Sequence, residues 1–263
     1  MSLHVESFGA DQGPELVLLH GWAMHSGVWR SVRDRLAEHF HLHLMDLPGH
    51  GFSPACAFDS QGNTSDCMLE SIAEVLPESC IVCGWSLGGE MAIELALREP
   101  VRVRKLALIS TTPCFVKREN WQWGMEASML QLFAQNLKRD YATTMKRFLT
   151  LQVNGGSDSS SILSQLRKSL AERREPDEAA LEAGLQILLT SDLREKLKYI
   201  QQPVLLLHGE NDVITHPSAA KWMNGQLLES ELIMLPRCGH APFLSHPHQF
   251  IKSMVRLYDG VFS

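Results

Sequence analysis

The chain has 263 residues, of which 44% are hydrophobic and 21% charged, with a formal net charge of -6 and a pI of about 6.0. This composition is typical of a globular protein with a full core, and the lack of a basic excess argues against nucleic acid as a partner. No apolar run reaches the roughly 20 residues that span a bilayer, and the first residues lack the basic start and apolar run of a signal peptide. We therefore expect a cytoplasmic protein with no membrane partner.

Short apolar runs rich in Val, Ile and Leu recur along the chain and predict strands that are buried on both faces. They lie at 15–21, 41–47, 80–85, 105–111, 203–209 and 231–236. Helical patterns separate them, at 27–39, 64–77, 87–98, 217–227 and 246–258. The alternation of strand and helix predicts the α/β class, with a mainly parallel central sheet flanked by helices.

The alternation stops once, between residues 112 and 198, where the sequence has helical character and no comparable strand. The composition does not change enough there to indicate an independent domain. We predict a core formed by 1–111 and 199–263 and a helical cap, or lid, inserted at 112–198.

Neither the cysteines nor the histidines form a recognised metal pattern. Six cysteines are scattered along the chain, and with no secretory signal we expect free thiols. Cys80 and Cys83 form a CxxC within a predicted strand, where positions three apart point to opposite faces, so we interpret them as core residues. The histidines that lack recognised metal-ligand spacing include His25, His39, His41, His43 and His208. We expect no metal and no organic cofactor.

The segment GWSLG at 84–88 is a G-x-S-x-G motif between the predicted strand CIVC and the helical pattern LGGEMAIELAL. In that context the motif places its serine on a sharp strand-to-helix turn with the oxygen exposed, which makes Ser86 the predicted nucleophile. The three fixed positions alone match by chance in about one chain in ten of this size, so the placement between strand and helix carries the prediction.

The loop HGW at 20–22 follows the first apolar run and is predicted to supply one amide of an oxyanion hole, from Trp22. The amide of Leu87, which follows the nucleophile, is the predicted second donor. His20 is interpreted as a structural residue that braces this loop. The later loop DLPGHG at 46–51 is also interpreted as structural, with Pro and Gly setting its turn.

Two loops near the C-terminus complete a predicted Ser-Asp-His triad. GEND at 209–212 follows a strand and offers Asp212 as the acid, with Glu210 as the alternative. GHAP at 239–242 follows the last strand and offers His240 as the base. The chain order Ser, Asp, His is the order that the serine hydrolases of this architecture use.

These motifs together resemble the α/β-hydrolases, over nearly the whole chain. More narrowly, the chain resembles the pimeloyl-acyl-carrier-protein methyl ester carboxylesterases of biotin synthesis. The narrower signals are GWSLGG, TPCF at 112–115, RFLTLQ at 147–152, GLQILLTSDLR at 184–194 and HAPFLSHP at 240–247. The resemblance implies a serine esterase that removes the methyl group from its carrier-bound substrate, works without a cofactor and has an acyl-carrier protein as its partner.

By the match of motifs, the resemblance also implies the residues that surround the substrate. They are Trp22, Ser86, Leu87, Phe148, Leu149, Thr150, Leu151, Gln152 and His240. From the residues alone, Phe148, Leu149 and Leu151 equally fit a role in packing the cap onto the core. Three alternatives stay open: a generalist carboxylesterase or thioesterase, a carbon–carbon bond hydrolase of the same fold, and a low-turnover ligand receptor.

A basic stretch in the predicted cap is the expected contact for an acidic carrier protein. Residues 138–174 hold eight basic and three acidic side chains within a chain whose net charge is -6. Such a separation of charge steers an acidic partner toward the basic side. The predicted contacts are Arg147, which adjoins Phe148, with Arg167 and Lys168; the alternative is that these residues form solvated helix faces. We expect a monomer.

Overall fold

The computed structural model describes residues 2–56, 64–154, 156 and 159–260. Its centre is a seven-stranded sheet in the order β1-β3-β2-β4-β5-β6-β7. Strand β1 runs antiparallel to β3, and all other neighbouring strands are parallel. The strands are β1 (Val5–Phe8), β2 (Glu15–Leu19), β3 (His41–Met45), β4 (Cys80–Trp85), β5 (Val103–Ile109), β6 (Val204–Gly209) and β7 (Ser230–Leu235).

Ten α-helices are described along the chain. They are α1 (Arg30–Leu36), α2 (Thr64–Glu74), α3 (Leu87–Arg98), α4 (Ala127–Arg139), α5 (Tyr141–Val153), α6 (Ser159–Ala171), α7 (Glu178–Thr190), α8 (Pro217–Asn224), α9 (Pro242–Ser245) and α10 (Pro247–Asp259). Two 3-10 turns, Ser26–Trp29 and Arg194–Tyr199, precede α1 and β6. No described helix is long and apolar enough to cross a membrane.

The predicted α/β class and the mainly parallel sheet are confirmed, and all six predicted strands are present. The first strand, β1, was not predicted. Its sequence VESF is only four residues long and partly polar, and it pairs with β3 at the edge of the sheet. A short edge strand of this kind lacks the continuous apolar run that identifies a strand buried on both faces.

Helices α4 to α7 lie between β5 and β6, so the described part of the stretch without predicted strands is mainly helical from Ala127 onward. The preceding residues form loops with two isolated bridges, Val116–Met125 and Arg118–Trp121. The limits of the cap at 112 and 198 stay a prediction. Polar contacts join these helices to the core. The indole Nε1 of Trp22 donates to Leu181 O of α7 at 2.9 Å, and His25 Nε2 lies 2.7 Å from Ser169 O of α6.

Candidate active site

Ser86 occupies a strained turn between β4 and α3. Its backbone has φ 55° and ψ -116°, a left-handed φ that a residue with a side chain rarely adopts. The turn is tight because Gly84 and Gly88 meet there: a Cβ on Gly84 would lie 2.2 Å from Gly88 O. The turn therefore requires these glycines and holds Ser86 at the C-terminal end of a buried strand.

His240 and Asp212 form a buried pair in the loops that follow β7 and β6, which are neighbouring strands. His240 Nδ1 lies 2.7 Å from Asp212 Oδ2, and both side chains are at least 99% buried. The indole Nε1 of Trp85 donates to His240 O at 2.7 Å, which ties the histidine loop to the residue before Ser86. The structure thus brings the three predicted triad loops together at one edge of the sheet.

The surroundings of Asp212 favour its ionised form. Burial by itself raises the pKa of the Asp212 carboxyl, but the charges of His240 and His208 and hydrogen bonds from His240 and Thr215 lower that pKa to about 2. Oδ1 accepts from the amides of Ile214 and Thr215 at 2.8 and 3.0 Å. The alternative acid, Glu210, is exposed, so the geometry favours Asp212.

Two side chains at this site were missed by the sequence analysis. The Thr215 hydroxyl lies 2.8 Å from Asp212 Oδ2 and donates to it, and it also lies 3.1 Å from Ser110 O. His208 is buried, which lowers its pKa, and its Nε2 donates to Thr215 O at 2.9 Å. Both residues hold the loop that carries Asp212. An isolated Thr three residues after the acid gives no sequence signal, because its role depends on how the loop folds.

The loop after β2 lies directly against the turn of Ser86. A Cβ on Gly21 would be 3.4 Å from Ser86 Cβ, which places the neighbouring amide of Trp22 beside the turn. His20 braces this loop: Nδ1 donates to Gly21 O at 2.8 Å, and Nε2 accepts from the amide of Leu47 at 2.9 Å. Complete burial lowers the pKa of His20 to about 3, so the ring is neutral, as these two bonds require.

An aromatic cluster covers the site from the side of the cap. The rings of Trp22 and Phe148 are perpendicular, with centroids 5.1 Å apart, and Phe133 of α4 lies 5.4 Å from Trp22. Gly184 of α7 allows this approach, because a Cβ there would lie 2.6 Å from the Trp22 ring. A cleft of about 640 Å³ opens between α4 and α7, and Leu181 is among its lining residues.

The five residues FLTLQ at 148–152 divide between two faces of α5. Leu149 and Gln152 are buried, Phe148 is half-buried, and Thr150 and Leu151 are exposed. The amide of His240 donates to Gln152 O at 2.9 Å, so α5 contacts the histidine loop through its backbone. The side-chain Oε1 of Gln152 is buried without a hydrogen-bond partner among the described residues.

The basic stretch of the cap divides into exposed and engaged side chains. Arg147 on α5 and the pair Arg167 and Lys168 on α6 are exposed, and α5 packs against α6. Arg173, by contrast, has a buried side chain that forms ion pairs with Asp46 and with Glu6. The next residue, Arg174, donates to the backbone carbonyls of Gly51 and Ser53 in the core.

The loop DLPGHG has the structural role that its sequence predicted. Asp46 is fully buried and accepts from the amides of Ser26 and Phe52 at 2.7 and 2.9 Å, besides its ion pair with Arg173. A Cβ on Gly51, whose φ is 56°, would lie 2.3 Å from the Asp46 carboxylate, so the turn requires glycine there. The loop thus joins β3, the turn before α1 and the cap.

The fold agrees with comparisons to known proteins. A family model described as "alpha/beta hydrolase fold" matches residues 14–247. An esterase from Exiguobacterium antarcticum superposes with a TM-score of 0.88 at 23% identity, covering 98% of this chain and 95% of its own. The architecture and the strained serine turn therefore define an α/β-hydrolase.

Sequence relatives narrow this class. A pimeloyl-acyl-carrier-protein methyl ester esterase from Nitrosospira multiformis is 61% identical over 97% of this chain and 98% of its own length. The protein of the same name from Nitrosomonas europaea is 56% identical over 95% of this chain and 97% of its own length. The chain belongs to the α/β-hydrolase family and, within it, to the family of pimeloyl-acyl-carrier-protein methyl ester esterases.

Proposed function

We propose that this chain hydrolyses the methyl ester of pimeloyl-acyl-carrier protein, yielding pimeloyl-acyl-carrier protein and methanol, for biotin synthesis. The observation that carries this proposal is the buried His240–Asp212 pair, joined through Trp85 to the strained turn of Ser86. The identity of the substrate is inferred from the family to which the chain belongs. The serine, the base and its acid partner are the parts that acyl transfer to water needs.

In the first step, His240 Nε2 removes the proton of Ser86 Oγ while that oxygen bonds to the ester carbonyl carbon. The backbone amides of Trp22 and Leu87 hold the oxyanion, and each such donor lowers the barrier by about 3 kcal/mol. The carbon–methoxy bond then breaks, and His240 gives its proton to the departing methanol. Water next attacks the acyl-enzyme with His240 as base, and Ser86 regains its proton.

Asp212 acts on the reaction through His240. Its carboxylate accepts a hydrogen bond from the Nδ1–H group of His240, which leaves Nε2 free to act as base toward Ser86. When His240 becomes an imidazolium, the adjacent carboxylate stabilises that charge in a site where water is excluded. Four hydrogen bonds hold the carboxylate, so the pair is oriented before substrate binds.

The acyl chain is proposed to lie between the core and the cap. Trp22, Phe148 and Leu149 give this region an apolar lining, and Gln152 reaches it from the same side of α5. This apolar lining suits the methylene chain, and in this arrangement the methyl ester end reaches Ser86 while the carrier protein stays outside. The thioester that joins the acyl group to the carrier is then kept from Ser86.

The test uses carrier-linked pimeloyl methyl ester and follows the loss of the methyl group by mass spectrometry. Ser86→Ala is expected to abolish turnover, while Ser164→Ala, on an exposed part of α6, retains it. Near-wild-type turnover by Ser86→Ala would contradict the nucleophile. Release of the carrier thiol as fast as methanol would indicate a thioesterase, and failure of a fluorophosphonate probe to label Ser86 would indicate a ligand receptor.

The carrier protein is proposed to dock on the exposed basic surface formed by Arg147, Arg167 and Lys168. This surface is part of the cap, and the chain outside residues 138–174 is strongly acidic. Acyl-carrier proteins are acidic, so attraction to the cap and repulsion from the core favour one orientation. We also propose that the enzyme acts in the cytoplasm as a monomer, a setting that suits its free cysteines.

Charge reversal tests this docking surface. Arg147→Glu, alone or with Arg167→Glu, is expected to weaken turnover of the carrier-linked ester and to flatten its dependence on salt. Hydrolysis of a p-nitrophenyl ester serves as the control and is expected to be unchanged, because this small substrate needs no dock. Equal loss on both substrates would show damage to the cap, and no loss on either would place the dock elsewhere.

A further inference from the structure

Three side chains of types that can bind a metal ion lie together near the N-terminal ends of β2 and β3, at the end of the sheet opposite the predicted triad. Glu15 is the first residue of β2, and it pairs in register with His41, the first residue of β3. His43 lies two residues further along β3, on the same face as His41. Strand β2 runs from Glu15 toward the loop of Trp22, so about 13 Å of strand separates this group from the catalytic edge.

The three side chains converge on one point. Glu15 Oε2 lies 2.5 Å from His43 Nε2 and 2.9 Å from His41 Nδ1, and the possible ligand atoms all lie within 4.8 Å of one another. His41 Nδ1 is buried and lacks the alignment of a hydrogen bond to this carboxylate.

The second nitrogen of each imidazole faces an oxygen. Ser7 Oγ of β1 lies within hydrogen-bond distance of His43 Nδ1, at 3.4 Å, whereas Asp11 Oδ1 lies 3.9 Å from His41 Nε2, beyond that distance. Histidines that ligate metals almost always have such an oxygen at the other ring nitrogen, because it fixes the tautomer and the orientation of the ring. The contact with Ser7 thus helps to hold the His43 ring with its Nε2 toward Glu15.

We propose that Glu15, His41 and His43 bind a divalent transition-metal ion, with Zn²⁺ as the best match. Two imidazole nitrogens and one carboxylate oxygen are ligands that Zn²⁺ accepts, at about 2.0–2.2 Å. Donors at those distances stand about 3.3 Å apart around a tetrahedral ion, so small side-chain rotations open the site. The three side chains are 15–29% exposed, which leaves a fourth position for water and a path of entry.

The position of the site indicates what the ion does. It joins β2 to β3 at the end of the sheet remote from Ser86, so it stabilises the fold and takes no part in ester hydrolysis. The alternative is that the carboxylate and the imidazoles only hydrogen-bond to one another. Histidine spacing along the chain does not reveal the site, because the glutamate is 26 residues before His41 and reaches it through strand pairing.

Isothermal titration of the full chain, stripped with EDTA, with ZnCl₂ tests the proposal. One ion per chain is expected, and His43→Gln or Glu15→Gln is expected to lower its affinity by about 100-fold or more. His39→Gln is the matched control, since His39 is an exposed histidine two residues before β3. Free Zn²⁺ at a hundredfold excess over Kd is expected to raise Tm by about 5 °C in wild type and control only.

Two results would overturn the proposal. If the wild-type chain does not bind Zn²⁺ at neutral pH, then Glu15, His41 and His43 form only a hydrogen-bonded cluster. Unchanged affinity in both His43→Gln and Glu15→Gln would place the ion elsewhere, at thiols or at His240. Circular dichroism of each metal-free variant checks folding, and His41→Gln replaces any variant that does not fold. Ester hydrolysis is a separate measurement, so failure here is distinct from failure of the proposed function.

Discussion

Glu90 offers a sharp test of how burial acts on a charge beside the nucleophile turn. It lies in the first turn of α3, four residues beyond Ser86, and its side chain is 99% buried. Its Oε2 has no hydrogen-bond partner among the described residues. Burial, with a smaller effect of the charge on Glu94, raises the pKa of Glu90 well above 4.5. The folded protein therefore holds Glu90 as a neutral acid over a range of pH in which the unfolded chain ionises it.

The direction of the pH effect follows from this difference. Between the unfolded and the folded pKa, the folded state binds more protons, so the free energy of unfolding falls as pH rises. The slope approaches about 1.4 kcal/mol per pH unit while the folded group stays protonated. Glu90→Gln removes the titration and keeps a similar shape. As pH rises above about 5, the variant is expected to gain stability relative to wild type by at most this slope, which corresponds to roughly 3–6 °C in Tm per pH unit.

Thermal unfolding followed by circular dichroism at several pH values measures the gain. Glu70→Gln is the matched control, because Glu70 is an exposed glutamate on α2. The control is expected to follow the wild-type curve. A constant difference in Tm between Glu90→Gln and wild type at all pH values would refute the reasoning, since it would mean that Glu90 titrates alike in both states.

Two further predictions concern groups whose protonation the fold controls. Asp212→Asn is expected to leave the fold intact and to lower ester turnover by about 10⁴, because the amide imposes the wrong tautomer on His240, whereas Glu210→Gln changes turnover little. The reverse pattern would identify Glu210 as the acid. Burial raises the pKa of Cys238 to about 11 and raises that of Cys83 as well, so neither thiol is expected to react with iodoacetamide in the native protein at pH 8. Peptide mass mapping before and after unfolding measures this, and native alkylation of Cys83 would contradict it.

The loops that carry Ser86, Asp212 and His240 could be identified from the sequence because each follows a strand with a strong signal of its own. Parallel strands end at the same edge of a sheet, so loops far apart in the chain become neighbours once the strand order is known. Asp212 and His240 were therefore accessible to prediction. Thr215 was not, because its contact with Asp212 depends on the path of the loop after β6, which no periodic pattern describes.

The cap was predicted less completely for a related reason. The spacing of its apolar residues predicts helices, but it does not predict which face of each helix packs against the core. Leu149 is buried and Leu151 is exposed, although both are leucines in one short motif. Arg173 belongs to a basic stretch in the sequence, yet its partner Asp46 is 127 residues away, and the ion pair removes it from the charged surface.

The contacts between the core loops and the inserted helices connect the cap to the proposed active site. The loop after β2 donates from Trp22 to Leu181 of α7, and the loop after β7 donates from the amide of His240 to Gln152 of α5. Each bond joins a residue proposed to act on the ester with a residue of the cap. Under the proposed mechanism, a displacement of α5 or α7 therefore moves the amide of Trp22 or the imidazole of His240, so the proposed substrate selection and the proposed hydrolysis depend on the same hydrogen bonds.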